Sequence, residues 1–192
     1  FLDWLAFIIF EYPDQSAVRW LPLILQSLTL GDRRDFIIKL GKRMKEERYH
    51  AAWKAWIAPF WKDRISNIPI ETDAVELMNM FAWLPKLQHV FEEAVDVAVG
   101  MTKHPLPRGT VLYDFFRKDL HKNFPEAMCK VIVHILKCDH EDHHFYQLDE
   151  MLNDIDWMNV SLVVQSELRE ALVEASFKEQ ILIPSAQVEV MG

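Results

Sequence analysis

Glycine occurs only five times in these 192 residues, and this scarcity restricts the folds available to the chain. Average usage is about 7%, more than twice the frequency found here. Phosphate-binding loops, dinucleotide fingerprints and tight β-hairpins depend on glycine, because they need backbone conformations or close approaches that other residues disfavour. The composition therefore disfavours a nucleotide-binding α/β enzyme and a hairpin-rich β domain.

Apolar residues instead recur at the spacing of helix faces. Such stripes cover residues 18–28, 36–44, 53–60, 77–84, 87–98, 112–116, 128–135, 145–155 and 164–175. No segment shows the sustained alternation of a strand, so we predict an all-α fold of antiparallel helical hairpins. Trp53, Trp56 and Trp61 are expected in its core. Gly41 is the one glycine inside a stripe, which predicts a close helix contact there.

Several residues predict where helices begin and how they are held. Asp32 is expected to cap the helix that follows it, and Pro22 to mark the start of the preceding one. Asp73 with Glu76 three residues later matches a capping box. Arg64 is expected either to lie over a neighbouring aromatic ring or to pair with Glu76.

The periodic pattern predicts a single helical domain over residues 1–180, followed by a tail or junction at 181–192. The chain begins at Phe1 without an initiator Met, so we expect a piece of a longer protein in which residues 1–12 end an upstream helix. Residues 91–94 (FEEA) recur as 124–127 (FPEA), 33 residues later. This period suits one helical hairpin and favours a short HEAT-like or tetratricopeptide-like stack, with a chance match as the alternative.

Charge is unevenly distributed along the chain. The net charge of −8 disfavours nucleic acid as a partner, although residues 33–48 hold seven basic residues and residues 139–156 hold seven acidic ones. A solvated outer face of an amphipathic helix is the simplest interpretation of the basic run. Among the functional interpretations, we prefer docking of this basic face onto an acidic face of another domain or another copy to a nucleic-acid sensor. The candidate interaction residues are Arg33, Arg34, Lys42, Arg43 and Lys45.

One segment resembles a metal site. Residues 140–144 (HEDHH) match H-E-x-x-H, in which two His ligands hold zinc and the Glu acts as general base. The candidate metal-binding residues are His140, His144, Glu141, His134 and Cys138. Buried zinc-binding helices have apolar flanks, whereas these flanks are polar, so we favour a polar loop. We therefore predict no catalytic residue, no metal and no cofactor, with a zinc-dependent hydrolase as the alternative function.

The cysteines and the apolar runs indicate the cellular compartment that we expect for this protein. Cys129 and Cys138 lie nine residues apart, in or beside one predicted helix, where they do not face each other, and this excludes a disulfide framework. The apolar opening at residues 4–10 is far shorter than the roughly 20 residues that span a bilayer. We expect a cytoplasmic protein with no membrane partner.

The run W-x-x-W-x-x-x-F-W-x-x-R from Trp53 to Arg64, followed by Ile68-Pro69, resembles a bacterial helical domain of unknown function. That domain lies at the C-terminal end of large SIR2-like (sirtuin-type) proteins of anti-phage defence, and the likeness covers roughly residues 21–179. The resemblance implies NAD breakdown by a sirtuin-like domain elsewhere in the polypeptide. The NAD-binding motif and catalytic His of such domains have no counterpart here. We therefore expect a non-catalytic interaction, scaffold or regulatory module whose partners are other domains of the polypeptide or a homo-oligomer.

Overall fold

The computed structural model describes residues 1–12, 15–67, 74–101, 110–137 and 147–177. These residues are largely helical and contain no strand, which confirms the predicted all-α class. The chain divides into two compact units, Phe1–Lys103 and His104–Gly192. The single domain expected over residues 1–180 stays a prediction, because compactness alone does not show whether a unit folds independently.

In the part of the first unit that the structure describes there are six α-helices. They are α1 (Leu2–Glu11), α2 (Gln15–Ser27), α3 (Leu30–Arg43), α4 (Ala58–Asn67), α5 (Ala74–Phe81) and α6 (Phe91–Met101). A 3-10 turn at Glu47–Tyr49 and a π-helical turn at Trp53–Ile57 join α3 to α4, and 3-10 turns at Leu84–Lys86 and Gln88–Val90 join α5 to α6. The helices α1 and α5 both pack against α3, and α4 packs against α6.

Two predicted helix starts are wrong. The N-cap of α3 is Thr29, whose hydroxyl oxygen accepts from the Asp32 amide at 3.2 Å and donates to the Asp32 carboxylate at 2.7 Å. Asp32 therefore lies in the first turn, where its charge favours the helix dipole. Pro22 lies inside α2. Leu21 and Leu25 of α2 are buried, and this packing offsets the hydrogen bond that proline removes.

The core of the first unit is aromatic. Trp53, Trp56, Trp61 and Trp83 are all buried, which confirms the prediction for the first three. The Trp61 and Trp83 rings stack at 5.9 Å between centroids, and Trp53 meets Trp61 edge-on at the same distance. These contacts join the π-helical turn and α4 to the segment that follows α5.

Gly41 makes room for Trp83, as its place inside a stripe predicts. A Cβ atom at position 41 would lie 2.5 Å from the indole nitrogen of Trp83, so any side chain there would displace the ring. The same nitrogen donates a hydrogen bond to the carbonyl oxygen of Ile37 at 3.1 Å. Glycine therefore lets α3 and the Trp83 side chain approach closely enough to form this bond.

The described residues of the second unit form five α-helices. They are α7 (Thr110–Phe116), α8 (Leu120–Asn123), α9 (Pro125–Lys137), α10 (Leu148–Asp154) and α11 (Leu162–Phe177). Proline opens α9, where its missing N–H costs no helical hydrogen bond. The main contact is between α9 and α11. The stripe predicted on α11 is confirmed, since Val164, Leu168, Leu172 and Ala175 are buried.

The two copies of the 33-residue echo both fall at helix starts. Residues 91–94 open α6, and residues 124–127 span the start of α9. The first copy belongs to the first unit and the second copy to the second unit. A repeated helical hairpin stays a prediction, because sharing a helix start does not establish a shared hairpin.

Candidate interaction surface

The first helix, α1, is apolar on nearly every side. Ala6, Ile9 and Phe10 are buried on its inner side, while Trp4 on the outer side is 62% exposed. Helices that are apolar all round are normally covered all round. In the part of the first unit that the structure describes, the outer side of α1 is open to solvent.

Other large apolar side chains are exposed near Trp4. Phe1 precedes it by three residues and is 86% exposed, and Phe7 follows it by three residues and is also exposed. Residues three apart lie on neighbouring positions of a helix surface. We call the surface formed by Phe1, Trp4 and Phe7 the α1 face. On α2, Trp20 is likewise exposed, at 53%.

Basic side chains of α3 border the α1 face. Lys39 donates to the Asp3 carboxylate at 2.7 Å, and the Arg43 guanidinium lies over the Phe7 ring, 5.2 Å from its centroid. The residue further along α1 contacts the residue further along α3, so α1 and α3 run parallel. The hydrogen bond from Lys39 lowers the pKa of Asp3, and the charge of nearby Lys42 acts in the same sense. The α1 face is therefore apolar with a basic edge.

The five basic interaction candidates differ in their surroundings. Arg33 donates to the carbonyl oxygen of Leu25 at 3.1 Å and lies 3.9 Å from the Glu76 carboxylate. Its contacts therefore connect α3 to α2 and α5 within the first unit. Arg34 is half-buried and also has a partner within the chain. The other three lie at the end of α3 or just beyond it and are exposed or half-buried: Lys42, Arg43 and Lys45. Their role in binding a partner stays a prediction.

A buried ion pair connects α4 to α5. Both carboxylate oxygens of Glu76, which is completely buried, accept hydrogen bonds from Arg64, at 2.5 Å and 2.8 Å. Of the two alternatives expected for Arg64, the structure shows the pairing with Glu76. Asp73, the other half of the predicted capping box, lies outside the described residues.

The exposed side of α11 in the second unit has a different chemistry. Leu162 is 82% exposed, and Val163, Glu167 and Glu170 follow on the exposed surface. Val163 and the two glutamates are spaced i, i+4 and i+7, so they share one side of the helix. We call the surface formed by these four residues the α11 face. It is apolar at the start of the helix and acidic beyond it.

His121 is a buried titratable group that the sequence pattern did not indicate. Its ring stacks on Phe116 at 5.3 Å between centroids, and its Nε2 atom lies 3.6 Å from a carboxylate oxygen of Asp154. Burial lowers the pKa of His121, and the nearby Asp154 only partly opposes this shift. Lys122 lies 3.0 Å from the same carboxylate, and its positive charge favours the ionised form of Asp154.

Acidification is expected to weaken the second unit through His121. An unfolded chain protonates its histidines near pH 6.5, whereas folded His121 resists protonation to lower pH. The free energy of unfolding should therefore fall as pH drops through 6.5 towards the folded pKa, and this contribution should then level off. Urea titrations followed by circular dichroism would measure the slope. A His121→Phe variant, which retains a ring against Phe116, should show a shallower slope, and an unchanged slope would contradict the assignment.

Most of the metal-binding candidates lie outside the described residues, namely His140, Glu141, His144 and Cys138. His134 is half-buried in α9 and has a partner within the chain. Among the residues that the structure describes, no group of three or more His, Cys, Asp or Glu side chains is arranged to hold a metal ion. Cys129 is buried, and this burial raises its pKa to about 12, so its thiol stays protonated.

Comparisons with known proteins place the chain in a family. The family model described as a domain of unknown function, DUF4020, matches residues 7–182. The chain belongs to this family. The description assigns no activity to DUF4020, so it supports the helical domain of unknown function and not the SIR2-like part of the resemblance. Neither the curated proteins nor the solved structures gave a significant match to this DUF4020 chain. Within the described ranges, none of its helices combines the length and apolarity needed to cross a bilayer.

Proposed function

We propose that this DUF4020 chain is a non-catalytic helical interaction module of a larger bacterial protein, a SIR2-like anti-phage defence effector. The α1 face carries the proposal. Its two Phe rings and one Trp ring are exposed, and aromatic side chains, Trp above all, are enriched at the centres of protein interfaces. The resemblance of residues 53–64 supports placing the module in SIR2-like proteins, where NAD breakdown belongs to another domain.

The size of Trp4 makes the α1 face energetically important. A tryptophan side chain buries roughly 200 Å² when fully covered. At about 25 cal/mol per Å², covering the exposed part of Trp4 contributes about 3 kcal/mol of gross binding free energy. A partner that covers the α1 face therefore gains much of its affinity from this one side chain.

Hydroxyl-radical footprinting tests whether the α1 face is covered in the full-length protein. We expect Trp4 to be oxidised in the isolated chain at low concentration and at least tenfold more slowly in the protein encoded by the whole open reading frame. Tyr113, an exposed aromatic residue of the second unit, serves as the reference side chain. Equal oxidation of Trp4 in both proteins would contradict the interaction role.

The same two proteins test the catalytic assignment. The isolated chain is expected to leave NAD intact, and the full-length protein is expected to consume it. Consumption by the isolated chain at the full-length rate would overturn the non-catalytic role. A nuclease or ATPase segment upstream, in place of a sirtuin-like one, would overturn the SIR2 assignment and leave the interaction role in force.

A further inference from the structure

We propose that the α1 face binds the α11 face of a second copy of this chain. This proposal rests on the proposed function, because it requires the α1 face to be an interaction surface. It adds the identity of the partner and the residues on the partner's side. The contacts and charges of the two faces support it independently of the family resemblance.

The α1 face presents aromatic rings next to positive charge. Trp4 and Phe7 supply the apolar area, Arg43 lies over the Phe7 ring, and Lys42 is exposed close to Asp3. The two acidic residues of α1, Asp3 and Glu11, already have basic partners within the unit. The matching surface on a partner is therefore an apolar patch that continues into exposed carboxylates.

The α11 face has that composition. Leu162 and Val163 are exposed at its start, and Met158 just before the helix is 92% exposed. Glu167 and Glu170 follow one and two turns later on the same side, and both are exposed. An apolar end followed by two carboxylates matches rings followed by Lys42 and by Arg43, whose guanidinium also lies 3.8 Å from the Glu46 carboxylate.

The distribution of charge between the units favours this pairing over contact between two α1 faces. Residues 104–192 contain 15 acidic and 8 basic residues, whereas residues 1–103 contain 14 acidic and 13 basic ones. Two α1 faces placed together would bring Lys42 and Arg43 of both copies close to each other, and this repulsion disfavours the contact. If two copies pair about a two-fold axis, the contact between an α1 face and an α11 face forms twice.

Light scattering coupled to gel filtration would measure the association of the full chain. We expect a dimer at high protein concentration and low ionic strength, and weaker association in high salt, because salt screens the charged edges. Trp4→Ser and Leu162→Ser should each weaken dimerisation at least tenfold. Tyr113→Ser is the matched control. It removes an exposed aromatic residue that lies on neither face, so it should leave the dimer unchanged.

Charge reversal tests the pairing of the faces. Lys42→Glu and Glu167→Lys should each weaken dimerisation about fivefold, and the double variant should restore most of the wild-type affinity. Circular dichroism would establish that every variant keeps its helix content. A chain that stays monomeric at all concentrations would overturn the proposal. So would a dimer that depends on Trp4 but tolerates Leu162→Ser, or a double variant without recovery.

Failure of this inference differs from failure of the proposed function. If Trp4 is protected from oxidation in the full-length protein while the isolated chain stays monomeric, the α1 face has a different partner and the interaction role stands. If Trp4 is not protected in the full-length protein, the interaction role itself fails.

Discussion

Replacing Glu76 with Ala is expected to lower the free energy of unfolding of the first unit by about 3–5 kcal/mol. The carboxylate is completely buried and accepts two hydrogen bonds from Arg64, and Arg33 lies 3.9 Å away. Its removal leaves the Arg64 guanidinium half-buried without its anion, and the cost of desolvating that charge is no longer offset. Urea unfolding followed by tryptophan fluorescence would measure the loss.

Two further variants separate the ion pair from general damage to a helix. Glu93→Ala removes an exposed acidic side chain from α6 and should change stability by no more than about 0.5 kcal/mol. The double variant Arg64→Met and Glu76→Leu removes both charges and should recover most of the stability, because apolar side chains replace buried ion pairs well. A double variant as unstable as Glu76→Ala would show that the buried charge is not the cause.

Replacing Gly41 with Ala is expected to cost the first unit about 1–3 kcal/mol. The new methyl group would lie 2.5 Å from the indole nitrogen of Trp83, so either the ring or α3 must move. Either movement strains the buried hydrogen bond from this nitrogen to Ile37, which is 3.1 Å long. Chemical denaturation would measure the cost, and the emission maximum of tryptophan fluorescence would report the displaced ring.

Gly31 provides a matched control in the same helix. A Cβ atom there meets nothing within 4 Å, so Gly31→Ala should leave stability unchanged or raise it by up to about 1 kcal/mol. A double-mutant cycle with Trp83→Phe tests the contact directly. Phenylalanine lacks the indole nitrogen, so Trp83→Phe should cost less in the Gly41→Ala background than in the wild type. Additive costs would contradict the steric explanation.

The features that could be read from the sequence are those that depend on spacing along one helix. The stripe on α11 is buried as predicted, because apolar side chains at helical spacing share one side whatever they pack against. Trp53, Trp56 and Trp61 are buried for the same reason. The pairing of Arg64 with Glu76 could be anticipated because a planar guanidinium and a carboxylate match in geometry.

The features that the sequence pattern did not indicate depend on which other elements of the fold pack against a residue. Pro22 breaks an isolated helix, yet packing of its neighbours keeps it inside α2. His121 follows buried Leu120 and carries no signal of its own, and contacts with Phe116 from another helix bury it. The histidines of the H-E-x-x-H motif lie outside the described residues, so the zinc-dependent hydrolase stays a hypothesis.

Scarce glycine and helical periodicity were enough to establish an all-α chain with an aromatic core, because both act through local backbone geometry and helix spacing. They could not show which side of α1 is exposed. That helix is apolar on nearly every side, so its own sequence does not distinguish the inner side from the outer one. Packing of α1 against α3, together with the contacts of Phe10 with Tyr49 and Trp56, buries Ala6, Ile9 and Phe10, and Trp4 stays in solvent because these neighbours lie on the inner side of the helix. The candidate interaction surface is therefore a consequence of tertiary packing.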